Sequence, residues 1–201
     1  MKLTRAIWIS LLTGLLWLGG PSGPAELGPR PAAASVSVAL SVQELVDGSS
    51  RAVEAVALER HSTWERIGDG RRIVTYTVLR VDRALFGTGS DTVRVRTLGG
   101  VVGRIGQHVS GEPQLAMGEP CLLFLQRLTA ETHLVTGRAQ GHYPIVTDDD
   151  GARRLRASPD RGRVLPRKGQ SISAHAELVG RPVPQAFETV RKARRKRDGT
   201  R

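Results

Sequence analysis

The run Ile73-Val74-Thr75-Tyr76-Thr77-Val78-Leu79-Arg80-Val81 limits the architecture of this chain more than any other stretch. It is rich in β-branched and aromatic residues, which lose rotamer freedom in a helix and fit the pleated surface of a sheet. One side carries Ile73, Thr75, Thr77, Leu79 and Val81; the other carries Val74, Tyr76 and Val78, then turns polar at Arg80 and Asp82. A β-prone run from Ala52 to Trp64, with Val53, Val56 and Leu58, precedes it, and Gly68-Asp69-Gly70 separates the two as a hairpin signal. Thr92-Val93-Arg94-Val95-Arg96-Thr97 then alternates cleanly, valines inward and arginines outward. Residues 121–125 are apolar on both faces, as expected of a central strand. Shorter strands are expected at 133–136 and 143–147, the second followed by the turn Asp149-Asp150-Gly151.

Helices frame this β region. Ser41-Val42-Gln43-Glu44 fits a capping box, with Val42, Leu45 and Val46 giving one apolar face before Asp47-Gly48 ends the helix. Near the other end, Pro184 suits the first turn of a helix, and Val183, Ala186, Phe187 and Val190 form one apolar stripe. That helix is expected to pack as far as Val190 and to fray into a disordered basic tail over 191–201. Residues 153–168 are polar, Arg-rich and contain two prolines, and read as a loop. The expected fold is mainly β: a small five- to six-stranded barrel of the oligonucleotide/oligosaccharide-binding (OB) type, with a short N-terminal helix and a C-terminal helix.

The first residues carry an address. Lys2 and Arg5 precede an uncharged, mostly apolar run from Ala6 to Leu18, and a Gly/Pro stretch leads to Ala32-Ala33-Ala34. This is the layout of a secretory signal peptide over 1–34, and 13 apolar residues fall short of the roughly 20 that span a bilayer. Cleavage leaves 167 residues, enough for one domain with its own core, expected over 35–190. Cys121 is the only cysteine, so the domain has no intramolecular disulfide, and its apolar neighbours mark a buried thiol. Arginine outnumbers lysine 26 to 4 and is spread along the chain, as a GC-rich genome would produce. The charge is uneven: of the formal +11, +6 belongs to the last eleven residues and about +3 to the body between Ser35 and Val190. The expected destination is secreted or periplasmic, in a bacterium.

From Val46 to Gly141 the chain resembles a family of uncharacterised exported bacterial domains. The resemblance is carried by Ile73-Val74-Thr75, Val81-Asp82-Arg83-Ala84-Leu85-Phe86-Gly87, Val93-Arg94-Val95 and Gly99-Gly100. It continues in Val109-Ser110-Gly111-Glu112-Pro113, Gly118-Glu119, Leu123-Phe124-Leu125 and Ala139-Gln140-Gly141. More distantly, the strand-and-glycine-turn pattern is similar to the netrin-like module of the tissue inhibitors of metalloproteinases, which implies an OB-type barrel. Those inhibitors use an N-terminal cysteine and several disulfides; with Cys121 alone, this chain takes no functional residue from them.

Chemistry-bearing patterns are sparse. The histidines, His61, His108, His133, His142 and His175, include no HExxH and no i,i+4 pair, so no metal site is expected. Asp148-Asp149-Asp150-Gly151 lacks the alternating ligands of a calcium loop and reads as a solvated turn. No serine stands in a nucleophile elbow. His108 and Ser110 share a face of an extended backbone, but no orienting acid is evident. The glycines of 99–106 lack the following helix that a phosphate loop requires. The expectation is a non-enzymatic module without a cofactor. Its partner would be an extracytoplasmic protein or glycan, met by the Gly-rich 99–118 connection through Gly99, Gly100, Arg104, His108 and Ser110. The alternative is an electrostatic adaptor that holds anionic envelope polymers or extracellular nucleic acid through Arg191, Lys192, Arg194, Arg195, Lys196 and Arg197. No membrane span is expected after processing.

Overall fold

The computed structural model describes residues 36–167, 169 and 172–199; the expected signal peptide, Lys168, Thr200 and Arg201 lie outside them. The described chain is mainly β. In order it runs β1 (Val36–Val38), α1 (Val42–Asp47), β2 (Arg51–Ile67), β3 (Gly70–Phe86), β4 (Thr92–Leu98), β5 (Gly100–Val102) and β6 (Ile105–Gln107). It continues β7 (Pro120–Arg127), β8 (Thr132–Val135), a 3-10 turn (Arg138–Gly141), β9 (His142–Thr147), β10 (Arg153–Leu155), β11 (Arg163–Leu165), α2 (Ala174–Leu178) and α3 (Val183–Gly199).

The hairpin expected around Gly68-Asp69-Gly70 is the centre of the fold: β2 and β3 pair antiparallel from Ile67↔Gly70 to Ala52↔Phe86. Register shifts at Ala52/Val53, Glu54/Ala55 and Ala57/Glu59 bend β2, because each bulge adds local twist. The main sheet is mixed and has seven strands in the order β10-β9-β7-β2-β3-β4-β8. β8 pairs in parallel with β4 (Val95↔His133) and antiparallel with β7 (Leu125↔Val135), so the pairings β7–β2–β3–β4–β8–β7 return to their start.

Two cores result from the period-two alternation of side chains. Val53, Ala55, Ala57, Leu79, Val93, Val95, Cys121, Leu123, Leu125 and Val135 form one, on one face of the strands. On the opposite face Ala52, Phe86, Leu122, Phe124, Tyr143 and Ile145 meet Leu45 and Val46 of α1, Leu178 of α2, and Phe187 and Val190 of α3. This is why β7 is apolar on both sides. α1 carries the expected capping box: the Ser41 hydroxyl accepts from the Glu44 amide (3.2 Å) and Glu44 Oε2 accepts from the Ser41 amide (2.9 Å).

Three expectations are corrected. Residues 153–168 are not a plain loop: β10 is the seventh strand of the main sheet, above the five or six expected, and β11 forms a separate parallel pair with β1. Arginine-rich strands hold here because the charges are partnered: Arg153 with Glu54 (2.5 Å) and Arg154 with Asp148 (2.7 Å), while Leu155 enters the helix-side core. The 99–118 connection, read as one long glycine-rich loop, contains the small β5–β6 hairpin. Finally, 191–199 are helical. Arg194 and Arg197 fall four and seven residues after Val190 and so continue its buried stripe. Their guanidiniums lie over the Phe86 ring at 5.1 and 5.6 Å, and Arg197 donates to the Val46 and Ser49 carbonyls at the end of α1.

Candidate functional site

At one end of the β2–β4 sheet a cleft of about 810 Å³ opens beneath the β5–β6 hairpin. Its floor is built by alternate residues of three neighbouring strands: Ser62 from β2, Thr75 and Thr77 from β3, Thr97 from β4. These are the sites at which the face that is aliphatic at Leu79 and Val95 turns to hydroxyls. Ser62 Oγ and Thr75 Oγ1 are 2.9 Å apart, and Thr75 donates to the Gly99 carbonyl at 2.6 Å. Gly100, at φ +131°, has no room for a side chain, because a Cβ there would strike Thr75 Oγ1 and stand 2.6 Å from Ser62 Oγ. The hairpin is tied to the floor by Gln107, whose Oε1 accepts from the Ile73 amide at 2.8 Å. Val101, which pairs with Gly106 and lines the cleft with it, and Ile105, which pairs with Val102 on the other face of the hairpin, are 65% and 55% exposed.

The connection holding the expected recognition residues does reach this cleft, but not with all of them. Gly99, Gly100 and His108 line it. Arg104 stands in the two-residue turn between β5 and β6, exposed and outside the lining. Ser110 turns away, its Oγ donating to Asp160 Oδ1 at 3.4 Å, and His108 Nε2 lies 2.9 Å from Asp160 Oδ2. The acid missing at the sequence level is therefore Asp160, fifty residues on. It stands between the two, whereas a nucleophilic triad puts the histidine between serine and acid. In this arrangement Asp160 anchors the connection by holding both side chains, and the His108 imidazole is 68% exposed.

Glu112 is the other anchor. Its Oε2 accepts from the Leu98 amide at 3.0 Å and its Oε1 meets Arg138 at 3.2 Å. Burial pushes its pKa up, and the Leu98 hydrogen bond with Arg138 only partly offsets this. Cys121 is buried against the Ala55 carbonyl (3.5 Å), and desolvation pushes its thiol up to about 12, which keeps it protonated and unreactive at neutral pH. Among the described residues no three His, Cys, Asp or Glu side chains gather as a metal site. Asp148 and Asp150 serve the β9–β10 turn, binding Arg154 and Arg156 and, through Asp150, the Ala152 amide.

The basic run of α3 is only partly available to a partner. Arg194 and Arg197 are engaged with Phe86 and α1, and Arg195 pairs with Glu188 at 2.5 Å. Arg191 and Lys192 precede these on the same helix, where they are fixed by α3 and not carried on a tail. No helix among the described residues is long and apolar enough to cross a membrane.

Sequence reasoning missed Ser62, Thr75, Thr77 and Thr97 as a set. The available signal was the replacement of aliphatics by hydroxyls at inward positions of one strand. Compared with protein-family models, with curated proteins and with solved structures, the chain gives no match.

Proposed function

We propose that this chain is an exported, non-catalytic binding module built on an OB-type barrel, and that its ligand, an extended glycan or a protein segment, lies in the cleft beneath the β5–β6 hairpin. The barrel reading is supported by the ring of pairings β7–β2–β3–β4–β8–β7 with a single parallel step, β4–β8. Barrels of that type bind oligomers across their central strands and adjoining loops. The observation that carries the ligand reading is a cleft floored by Ser62, Thr75, Thr77 and Thr97 and edged by Val101 and Val102 of the β5–β6 hairpin. The hydroxyls of Thr75 and Thr97 already donate to the Gly99 and Thr75 carbonyls and hold the floor rigid, so a ligand would meet the rim of the cleft, polar at Arg60, His61 and His108 and apolar at Val101 and Val102. The exported compartment in this reading rests on the signal-peptide layout of residues 1–34 alone.

Gly106 allows a direct test. It lines the cleft, and a Cβ there meets only Val101 Cγ2, at an ordinary 3.9 Å. Capture of a discrete glycan or protein from envelope and culture fluid should be lost in Gly106→Trp and weakened in His108→Ala, with unchanged melting temperatures. Capture indifferent to both substitutions would refute the cleft as the binding surface. Hydrolase turnover that disappears in His108→Ala would refute the non-catalytic reading.

A further inference from the structure

A second cavity, of about 440 Å³, shares no lining residue with the cleft and lies between the β3–β4 turn and the β7–β8 turn. Arg51, Arg94, Arg127 and His133 face it, with Ser90 and Glu131. Arg51 is its unusual member. It opens β2 and is only 5% exposed, yet its one hydrogen bond among the described residues runs from Nη2 to the Ser90 carbonyl at 3.0 Å. Its Nε is buried without a partner, and so is His133 Nδ1. Two other buried polar side-chain atoms lack a hydrogen bond, Asp160 Oδ2 and Arg197 Nε, but the first stands 2.9 Å from His108 Nε2 and the second 3.8 Å from Asp198 Oδ1. The two with no such neighbour, Arg51 Nε and His133 Nδ1, belong to residues that line the same cavity.

The electrostatics agree with the geometry. Burial lowers the pKa of Arg51, with exposed Asp91 the one carboxylate opposing it, and no carboxylate of the described residues pairs with Arg51 within 4 Å. Burial and the charges of Arg51 and Arg127 lower that of His133, against the backbone of Arg94. A guanidinium that is 5% exposed and has no carboxylate paired with it among the described residues gains from any anion that enters the cavity it lines. The backbone is shaped around it: at Gly89, φ +155°, a Cβ would come within 2.6 Å of Arg51 Nη1, so glycine lets the β3–β4 turn close over the guanidinium. Three guanidiniums against Glu131 and Asp91 leave the cavity positive. Arg94, now over the Tyr76 ring at 4.7 Å, and Arg127, exposed, stand at its mouth.

We infer that this cavity is a binding site for a tetrahedral oxyanion of the phosphate or sulfate class, received by Arg51 and His133 and closed by Arg94 and Arg127. Planar guanidinium forks match such oxygens in pairs, and a buried one gains most from them. The volume leaves room for the group to arrive on a larger molecule.

The test is calorimetric titration of the full chain with sodium sulfate and with sodium phosphate, in chloride at constant ionic strength. One saturable site is expected, weakened at least tenfold by Arg127→Gln and abolished by Arg51→Met. Sulfate should raise the melting temperature of the wild type and not of Arg51→Met, which without sulfate should melt no lower than the wild type. Arg127→Gln changes an exposed side chain and carries the test if Arg51→Met does not fold. Glucose 6-phosphate binding more tightly than phosphate would support a carried phosphoryl group, and equal binding a free anion. No saturable heat with either salt, or affinity unchanged in both variants, would overturn the site. His108→Ala should leave it intact, which separates it from the cleft.

Discussion

His142 should make this fold acid-labile, by an amount that follows from its surroundings. It begins β9 and is 2% exposed, with Nδ1 2.9 Å from the Ser158 hydroxyl and no carboxylate among the causes acting on it. Desolvation alone pushes its pKa from 6.5 down to about 4. Between those values the unfolded chain binds a proton that the folded chain refuses, so stability rises with pH across the window and falls as pH is lowered through it. At 1.36 kcal/mol per pH unit of separation, the loss relative to pH 7 is about 2 kcal/mol at pH 5 and about 3 kcal/mol at pH 4. Against a usual total of 5–15 kcal/mol this is a large share. Other groups titrate in the same range, so the useful quantity is the difference between wild type and His142→Asn, whose amide retains a partner for Ser158 and carries no charge. Urea denaturation followed by far-UV circular dichroism at pH 7, 6, 5 and 4.5 measures it. The wild type should lose its advantage over His142→Asn progressively below pH 6.5. A difference constant to within about 0.5 kcal/mol over that range would refute the argument.

Other perturbations probe separate parts of the fold. Gly100→Ala forces a side chain into Thr75 Oγ1 at a φ that L-residues avoid, and should cost about 2 kcal/mol or more, read as a fall in melting temperature. Ser41→Ala removes half of the capping box of α1 and should cost about 1 kcal/mol in urea denaturation. Ending the chain after Val190 removes the Arg194 and Arg197 contacts with Phe86 and the α1 carbonyls; at about 0.5–1 kcal/mol for each, the melting temperature should fall by several degrees. A disordered tail would instead leave it unchanged.

Much of the scaffold was legible because it depends on neighbours in sequence. The β2–β3 hairpin follows from two β-prone runs around a glycine turn, α1 from the Ser41/Glu44 spacing, and the buried face of α3 from the stripe Val183, Ala186, Phe187, Val190. The two-sided apolarity of β7 likewise announced a strand covered on both faces, although not what covered it.

Periodicity tells which side of an element will be buried; it cannot name the partner, because any apolar face satisfies the same pattern. Only the tertiary structure decided that β8 bridges β4 and β7, that Asp160 meets His108 and Ser110, and that Phe86 receives two arginines and so extends α3 past Val190. The hydroxyl floor needed three strands in register before its four residues became one surface. Arg51 read as one arginine among 26, and it became exceptional only when the fold buried it with no paired carboxylate among the described residues, since desolvation belongs to a position in space and not to a residue type.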